Sequence, residues 1–271
     1  MVEALSPGAR YAVCERVLRE GSFAGDVALA VAAGIRAVGV DQASVDDVGV
    51  DEAQRILDGE GARASSYMGL DDILQADGGT AALDEVARRL DVAAHLGAPG
   101  ALVGTGPLRA LPEAQANAIC RDWLVRAAPL AADRALRIML EPMHPLMRRW
   151  SFVHTLRHAL TFVEDVAGAG VVVDFGHVWW EDGLDVLLAD HVDDIVSVQV
   201  TNVDTAALED IRYERAPLDI GDVPVGSLVR LLEAAGYRGW YENETLVRIP
   251  RNQRLDMLRA SREWFEALDL S

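Results

Sequence analysis

Short β-branched apolar runs alternate with longer amphipathic segments along nearly the whole chain. Runs of four to six apolar residues bounded by turn residues read as buried strands. Segments whose apolar positions recur every three or four residues read as helices. This pattern predicts strands at Tyr11–Cys14, Ala37–Asp41, Ala62–Tyr67, Ala101–Gly104, Arg137–Glu141, Gly170–Asp174, Ile195–Val200 and Trp240–Glu244. The helices between them are expected at Phe23–Gly34, Asp46–Leu57, Thr80–Leu96 and Leu111–Ala132, then at 155–167, 183–190, 225–235 and 252–267. Eight strands, each followed by a helix, predict a single-domain α/β fold over residues 1–271, a closed (β/α)8 TIM barrel.

Four polar residues interrupt this pattern at strand ends. Glu141 follows Arg137-Ile138-Met139-Leu140, Asp174 follows Val171-Val172-Val173, Gln199 lies in Ile195–Val200, and Glu244 closes Trp240–Asn243. They are spaced 33, 25 and 45 residues apart, and each interval holds one helix with its loops. A carboxylate at the end of a buried strand is costly unless something compensates its charge. Three carboxylates and an amide oxygen on four neighbouring strand ends point to one divalent metal ion, at the face where such barrels carry their active sites. A glutamine oxygen among carboxylates favours a hard ion, so Mn²⁺ or Mg²⁺ is expected before Co²⁺ or Zn²⁺.

Neighbouring residues extend this site. Pro142 holds Glu141 in an extended conformation, and His144, which follows, is read as a substrate-binding residue. Asp174-Phe175-Gly176-His177 places His177 three residues after Asp174, where it is read as a substrate hydrogen-bonding group or a further ligand. Trp179 and Trp180 are read as an apolar wall facing a sugar ring. Ser197, Gln199 and Thr201 share one strand face. Glu242 shares the face of Glu244 and is expected deeper, paired with an arginine. The stretch Asn202–Asp222 is the longest connection without periodicity and is expected to cover or complete the site; Arg215 within it is read as a ligand for a distal substrate oxygen or carboxylate.

Composition narrows the chemistry. With 25 basic and 43 acidic residues the net charge is −18, which disfavours a nucleic-acid partner. All the basic residues are arginine, so a Schiff-base mechanism, which needs a lysine amine, is excluded. No apolar run is long enough to span a bilayer, and the start at Met1–Gly8 lacks the marks of a secretory leader. Cys14 and Cys120 have no metal-type spacing and read as buried thiols, so a reducing cytoplasm is expected. A homo-oligomer is compatible with all of this.

Taken in order, Leu140-Glu141-Pro142, Val173–Trp180, Val198-Gln199-Val200, Arg215 before Gly221-Asp222, and Gly236–Glu244 resemble the xylose-isomerase-like TIM-barrel superfamily of sugar phosphate isomerases and epimerases. The matching stretches cover about residues 137–245, and the βα rhythm extends the likeness over most of the chain. The resemblance implies that Glu141 and Glu244 serve as acid and base as well as ligands. Ketose 3-epimerases carry histidine where this chain has Gln199; glutamine there resembles the hydroxypyruvate isomerase branch. The histidines and lysine frequent around strand seven are replaced here by Ser197, Gln199, Thr201 and Asn202.

The expected activity is a metal-dependent isomerase or epimerase of a sugar, keto-sugar or small hydroxy-carbonyl compound, moving a proton through an enediolate at the metal. Two alternatives share the site. One is a dehydratase or lyase acting on a keto-sugar, keto-inositol or 3-keto-glycoside; the other is an inactive barrel serving as a binding or partner subunit. An endonuclease of the same fold would need more histidines at strand ends than His144 and His177, and a basic face.

Overall fold

The eight predicted strands form, with ends shifted by a residue in places, and close on one another. They are β1 (Tyr11–Cys14), β2 (Ala37–Asp41), β3 (Arg63–Met68), β4 (Gly100–Val103), β5 (Arg137–Leu140), β6 (Ala169–Asp174), β7 (Ile195–Val200) and β8 (Trp240–Asn243). All neighbouring pairs are parallel, and β1 pairs with both β2 and β8, which seals the barrel. The computed structural model describes residues 6–18, 20–75, 78–209, 212–247 and 249–270. Met1–Leu5, on which the expectation about a leader partly rested, lie outside the described residues. No described helix is long and apolar enough to cross a membrane.

The barrel wall is built from fully buried Val and Ile positions such as Val38, Val103, Ile138 and Val173, which β-branching suits to a strand. Helices pack outside it. The longest, Glu113–Ala132, buries Trp123, whose indole N–H donates to the Ala81 carbonyl at 2.8 Å. The segment expected as one helix over Asp46–Leu57 is two, Gln42–Val48 and Val50–Glu60. The Asp41 carboxylate caps the first by accepting from the Ala43 N–H at 3.0 Å, and the chain turns at Gly49 (φ 86°) before the second begins.

The two mouths of the barrel differ in chemistry. At the N-terminal mouth, Arg10 is clamped to Glu233 by two 2.6 Å contacts and lies over the rings of Tyr237 and Tyr241. The Tyr241 hydroxyl donates to the same carboxylate, so the Arg10–Glu233 pair is matched and held within the wall. At the C-terminal mouth the charges are mostly carboxylates. There the Asn202–Asp222 connection forms a two-stranded antiparallel ribbon, Asn202–Val203 against Arg215–Ala216. The Asn202 side chain fastens this connection, accepting from the N–H groups of Val203 and Val223 and donating to the Leu218 carbonyl. Asp210 and Ile211, within the same connection, lie outside the described residues.

Candidate active site

Strand register decides which side chains meet. Asp174 on β6 is level with Gln199 on β7, and Gln199 is level with Glu242 on β8. Glu141 and Glu244 each stand one residue beyond the end of a strand, β5 and β8 respectively. Asp174, Gln199, Glu141 and Glu244 are 0, 1, 5 and 5% exposed, so four polar side chains crowd one buried region. Asp174 also begins the one-turn helix Phe175–Val178. Its Oδ1 accepts from the Gly176 N–H at 2.8 Å, which fixes the carboxylate and leaves Oδ2 facing inward.

That turn brings His177 back over Asp174. The His177 Nε2 is 3.4 Å from Asp174 Oδ2 and 3.8 Å from Glu141 Oε1. One ligand atom from each of these residues lies within 4.8 Å of the other two. Ligand atoms on one ion, with bonds of ~2.0–2.2 Å at near-tetrahedral or octahedral angles, stand about 3–3.6 Å apart. The His177–Asp174 separation falls inside that range.

Arg215 enters from the ribbon. Its Nη2 donates to Asp174 Oδ2 at 2.7 Å and contacts His177 Nε2 at 3.2 Å. Its Nη1 donates to Glu244 Oε2 at 2.8 Å and to the Glu244 carbonyl at 2.7 Å. Tyr213 stacks on both His177 and His144, with ring centroids 5.5 and 5.0 Å apart, and closes the site from the ribbon side.

The electrostatics follow from burial. Desolvation raises Glu141 well above the ordinary carboxylate range, and Glu244 and Asp174 add to the rise. Glu244 is also raised by burial, but Arg215 pulls it back. Burial and then Arg215 push His177 well below the usual imidazole range, so it is neutral at physiological pH. Burial would lower Arg215, yet Asp174 and Glu244 hold it charged.

This donor set suits a divalent ion. Three carboxyl groups converge here on one arginine, so acidic side chains outnumber basic ones. The His177 Nε2 lies near Asp174 Oδ2, Glu141 Oε1 and Arg215 Nη2, while its buried Nδ1 has no hydrogen-bond partner among the described residues. The buried Gln199 Oε1 has no hydrogen-bond partner among the described residues, an unusual state for a buried amide oxygen.

A cavity of about 430 Å³ opens in front of these groups. Glu141, His177, Arg215 and Glu244 are in its lining, together with Asp71, Asp72, Met143, Met147 and Trp150. Trp179 and Trp180, read from sequence as the apolar wall, are not in this lining. Trp179 packs against the core, and Trp180 donates its indole N–H to the His177 carbonyl at 2.9 Å. His144 likewise stands behind the site, its Nδ1 accepting from the Leu146 N–H and its ring on Tyr213. Trp150 is the tryptophan in the lining; it sits in a polar, arginine-rich stretch with no periodicity to mark it.

Glu242, expected to pair with an arginine, has no such partner among the described residues. Its carboxylate crosses the barrel interior past β1 and β2 and accepts from the hydroxyls of Ser65 and Ser66 at 2.9 Å. Gly39 makes this crossing feasible, since a Cβ there would lie 1.8 Å from Glu242 Oε2. Burial raises Glu242 to about 7. Cys14 is a free, buried thiol, as expected, with Sγ 3.7 Å from Glu244 Oε1.

Comparison with known proteins matches the chain to a family. The model for the xylose isomerase-like TIM barrel matches residues 27–268. The chain belongs to that family. A comparison with curated proteins finds no match. Among solved structures, a Sinorhizobium meliloti 1021 protein superimposes with a TM-score of 0.86 at 23% identity, covering 96% of this chain and 98% of its own. A xylose isomerase domain protein from Alicyclobacillus acidocaldarius subsp. acidocaldarius gives 0.80 at 23%, with 96% and 97% covered. The apo form of 3-keto-D-glucoside 4-epimerase from E. coli gives 0.76 at 18%, with 95% and 98% covered. At these identities the likeness to each is one of fold.

Proposed function

We propose that this family member is a metal-dependent isomerase or epimerase acting on a keto-sugar or a related hydroxy-carbonyl compound. The observation that carries this reading is the convergence of buried Glu141, Asp174 and His177, with Glu244 across Arg215 and the unpartnered Gln199 Oε1, at one end of a substrate-sized cavity. Glu141, Asp174, His177, Gln199 and Glu244 would hold a Mn²⁺ or Mg²⁺ ion. When bound, such an ion polarises a carbonyl and acidifies the neighbouring C–H.

The chain's own residues divide the remaining work. Glu244 accepts the proton from the substrate carbon, because the adjacent Arg215 guanidinium favours its ionised form. Glu141, which makes no such contact and is raised more by burial, returns a proton from the opposite side. Return to the same carbon inverts it; return to the neighbouring carbon interconverts aldose and ketose. Arg215 stays charged throughout and steadies negative charge that develops on the substrate oxygens. Tyr213 and the ribbon keep bulk water from that side of the site. A 3-keto-D-glucoside 4-epimerase shares the fold, which supports a proton-transfer reading next to a carbonyl.

The test is solvent deuterium exchange by NMR. Chelated and Mn²⁺-reloaded protein would be given ketoses, keto-inositols and 3-keto-glycosides in D₂O. Exchange at one carbon in the reloaded protein alone is the expected result. Exchange that persists after chelation, or its absence from the whole panel in the reloaded protein, overturns the proposal. Loss of water from the product would move the chemistry to the lyase reading.

A further inference from the structure

The distal wall of the cavity takes no part in the chemistry above, and its charges are one-sided. Two arginines line the cavity, and both are engaged. Arg215 is held by Asp174 and Glu244, and Arg16 Nε donates to Asp41 Oδ2 at 2.5 Å. Facing them, Asp71 and Asp72 have no ion-pair partner among the described residues. Asp71 is exposed toward the mouth, whereas Asp72 is half-buried. The Asp72 carboxylate lies over Gly104 on the segment following β4, where an added Cβ would stand 2.5 Å from Oδ1. The backbone therefore leaves a seat for this carboxylate inside the cavity. Trp150, 48% exposed, stands beside it with Met143 and Met147. Arg149 lies over the Trp150 ring, 5.1 Å from its centroid, and is outside the lining.

We infer that the cavity takes an uncharged polyhydroxylated substrate, a free sugar, cyclitol or glycoside, and rejects its phosphorylated or carboxylated counterparts, with Asp71 and Asp72 setting that selectivity. The inference rests on the cavity being the substrate site, as proposed above. Ionised carboxylates are acceptors only and suit hydroxyl donors. The Trp150 ring and the two methionines supply apolar surface for the C–H face of a ring, in a volume usual for small-molecule sites. A phosphate or carboxylate group would meet the like charges of Asp71 and Asp72, and the two cations in the lining are each already paired with a carboxylate. Discrimination of this kind works through repulsion as much as attraction.

Binding and turnover together test the inference. Metal-loaded protein would be titrated calorimetrically with D-fructose, a keto-inositol and a methyl 3-keto-glucoside. The 6-phosphate of the ketose and the uronate of the glycoside serve as charged counterparts. The same mixtures would be followed for deuterium exchange. Uncharged members should bind at least about tenfold more tightly than charged ones. The Asp71→Asn/Asp72→Asn double variant should narrow that ratio by strengthening binding of the charged members. Asp71→Asn alone, on an exposed side chain, should narrow it less, and serves if the double variant does not fold. A charged member that binds as well as its uncharged counterpart overturns the inference, as does a ratio untouched by the variants or failure of every uncharged member to bind. Exchange confined to charged members overturns it while leaving the isomerase reading standing. Tight binding of uncharged polyols without any exchange has the reverse meaning.

Discussion

Arg215 and Asp174 meet at 2.7 Å with the guanidinium on Oδ2, the oxygen that also faces His177. Asp174 Oδ1 is already committed to the Gly176 N–H. A divalent ion at this site and Arg215 therefore draw on the same oxygen. Arg215→Met removes a positive charge from a buried, acidic cluster. We expect the variant to bind Mn²⁺ about tenfold more tightly by calorimetry, since even one unit charge a few ångströms away is worth on the order of 1–4 kcal/mol. Turnover should fall in the same variant. Weaker Mn²⁺ binding would mean that Arg215 organises the ligands more than it competes with the ion.

The two glutamates make a second prediction. Glu141→Gln and Glu244→Gln preserve shape and remove the titrating oxygen. Each should keep the fold and lose about 10²–10⁴-fold in rate, the usual scale for general acid–base catalysis. Metal content measured on the same samples separates loss of the ion from loss of the proton donor or acceptor. Near-normal turnover in both variants would remove these residues from the mechanism.

Gln199 offers a test that does not depend on activity. Its buried Oε1 lacks a partner, so Gln199→Leu should cost little in thermal stability while weakening Mn²⁺ binding. Gln199→His should shift preference toward Co²⁺ or Zn²⁺, because imidazole suits softer ions better than an amide oxygen does. Equal affinities in all three proteins would place Gln199 outside the coordination shell.

Stability should depend on pH through two buried acids. Burial raises Glu242 and Glu15 to about 7, above the ordinary carboxylate value these groups have in the unfolded chain. The folded form therefore holds protons that the unfolded form has released. Their contribution is fully present below about pH 4.5 and is lost as pH rises through about 7. Urea denaturation at pH 5 and pH 8 should show the fall, and Glu242→Gln should remove a part on the order of 3 kcal/mol. An unchanged slope in that variant would place the proton elsewhere.

The sequence pattern carried most of the barrel because each strand had to be apolar on both faces, which leaves short β-branched runs that few other folds produce. Strands β7 and β8 and the helix over 225–235 were legible almost to the residue. The carboxylates at strand ends were legible for the opposite reason: a charge that closes an apolar run stands out. Partners across space were not. Glu242 reads as a generic inward acid until closure of the barrel brings it to Ser65 and Ser66, some 177 residues away. Trp150 and the pair Asp71-Asp72 lie in loops, where local pattern says nothing about which way a side chain faces. Trp179 and Trp180 drew attention because tryptophan is rare, yet backbone direction after the Phe175–Val178 turn leaves them outside the cavity lining.

The crossing of Glu242 over Gly39 to Ser65 and Ser66 also bears on how the chain assembles. The two hydroxyls sit in the first quarter of the sequence, and their acceptor arrives with the last strand. The same strand closes the seam with β1. A ribosome-bound chain that has not yet released residue 240 thus carries two interior serines lacking this acceptor and an open sheet edge, and has nothing to bury them against. Closure is a late, long-range event of the slow-folding kind. Chains that stop short of β8 should be captured by chaperones or aggregate.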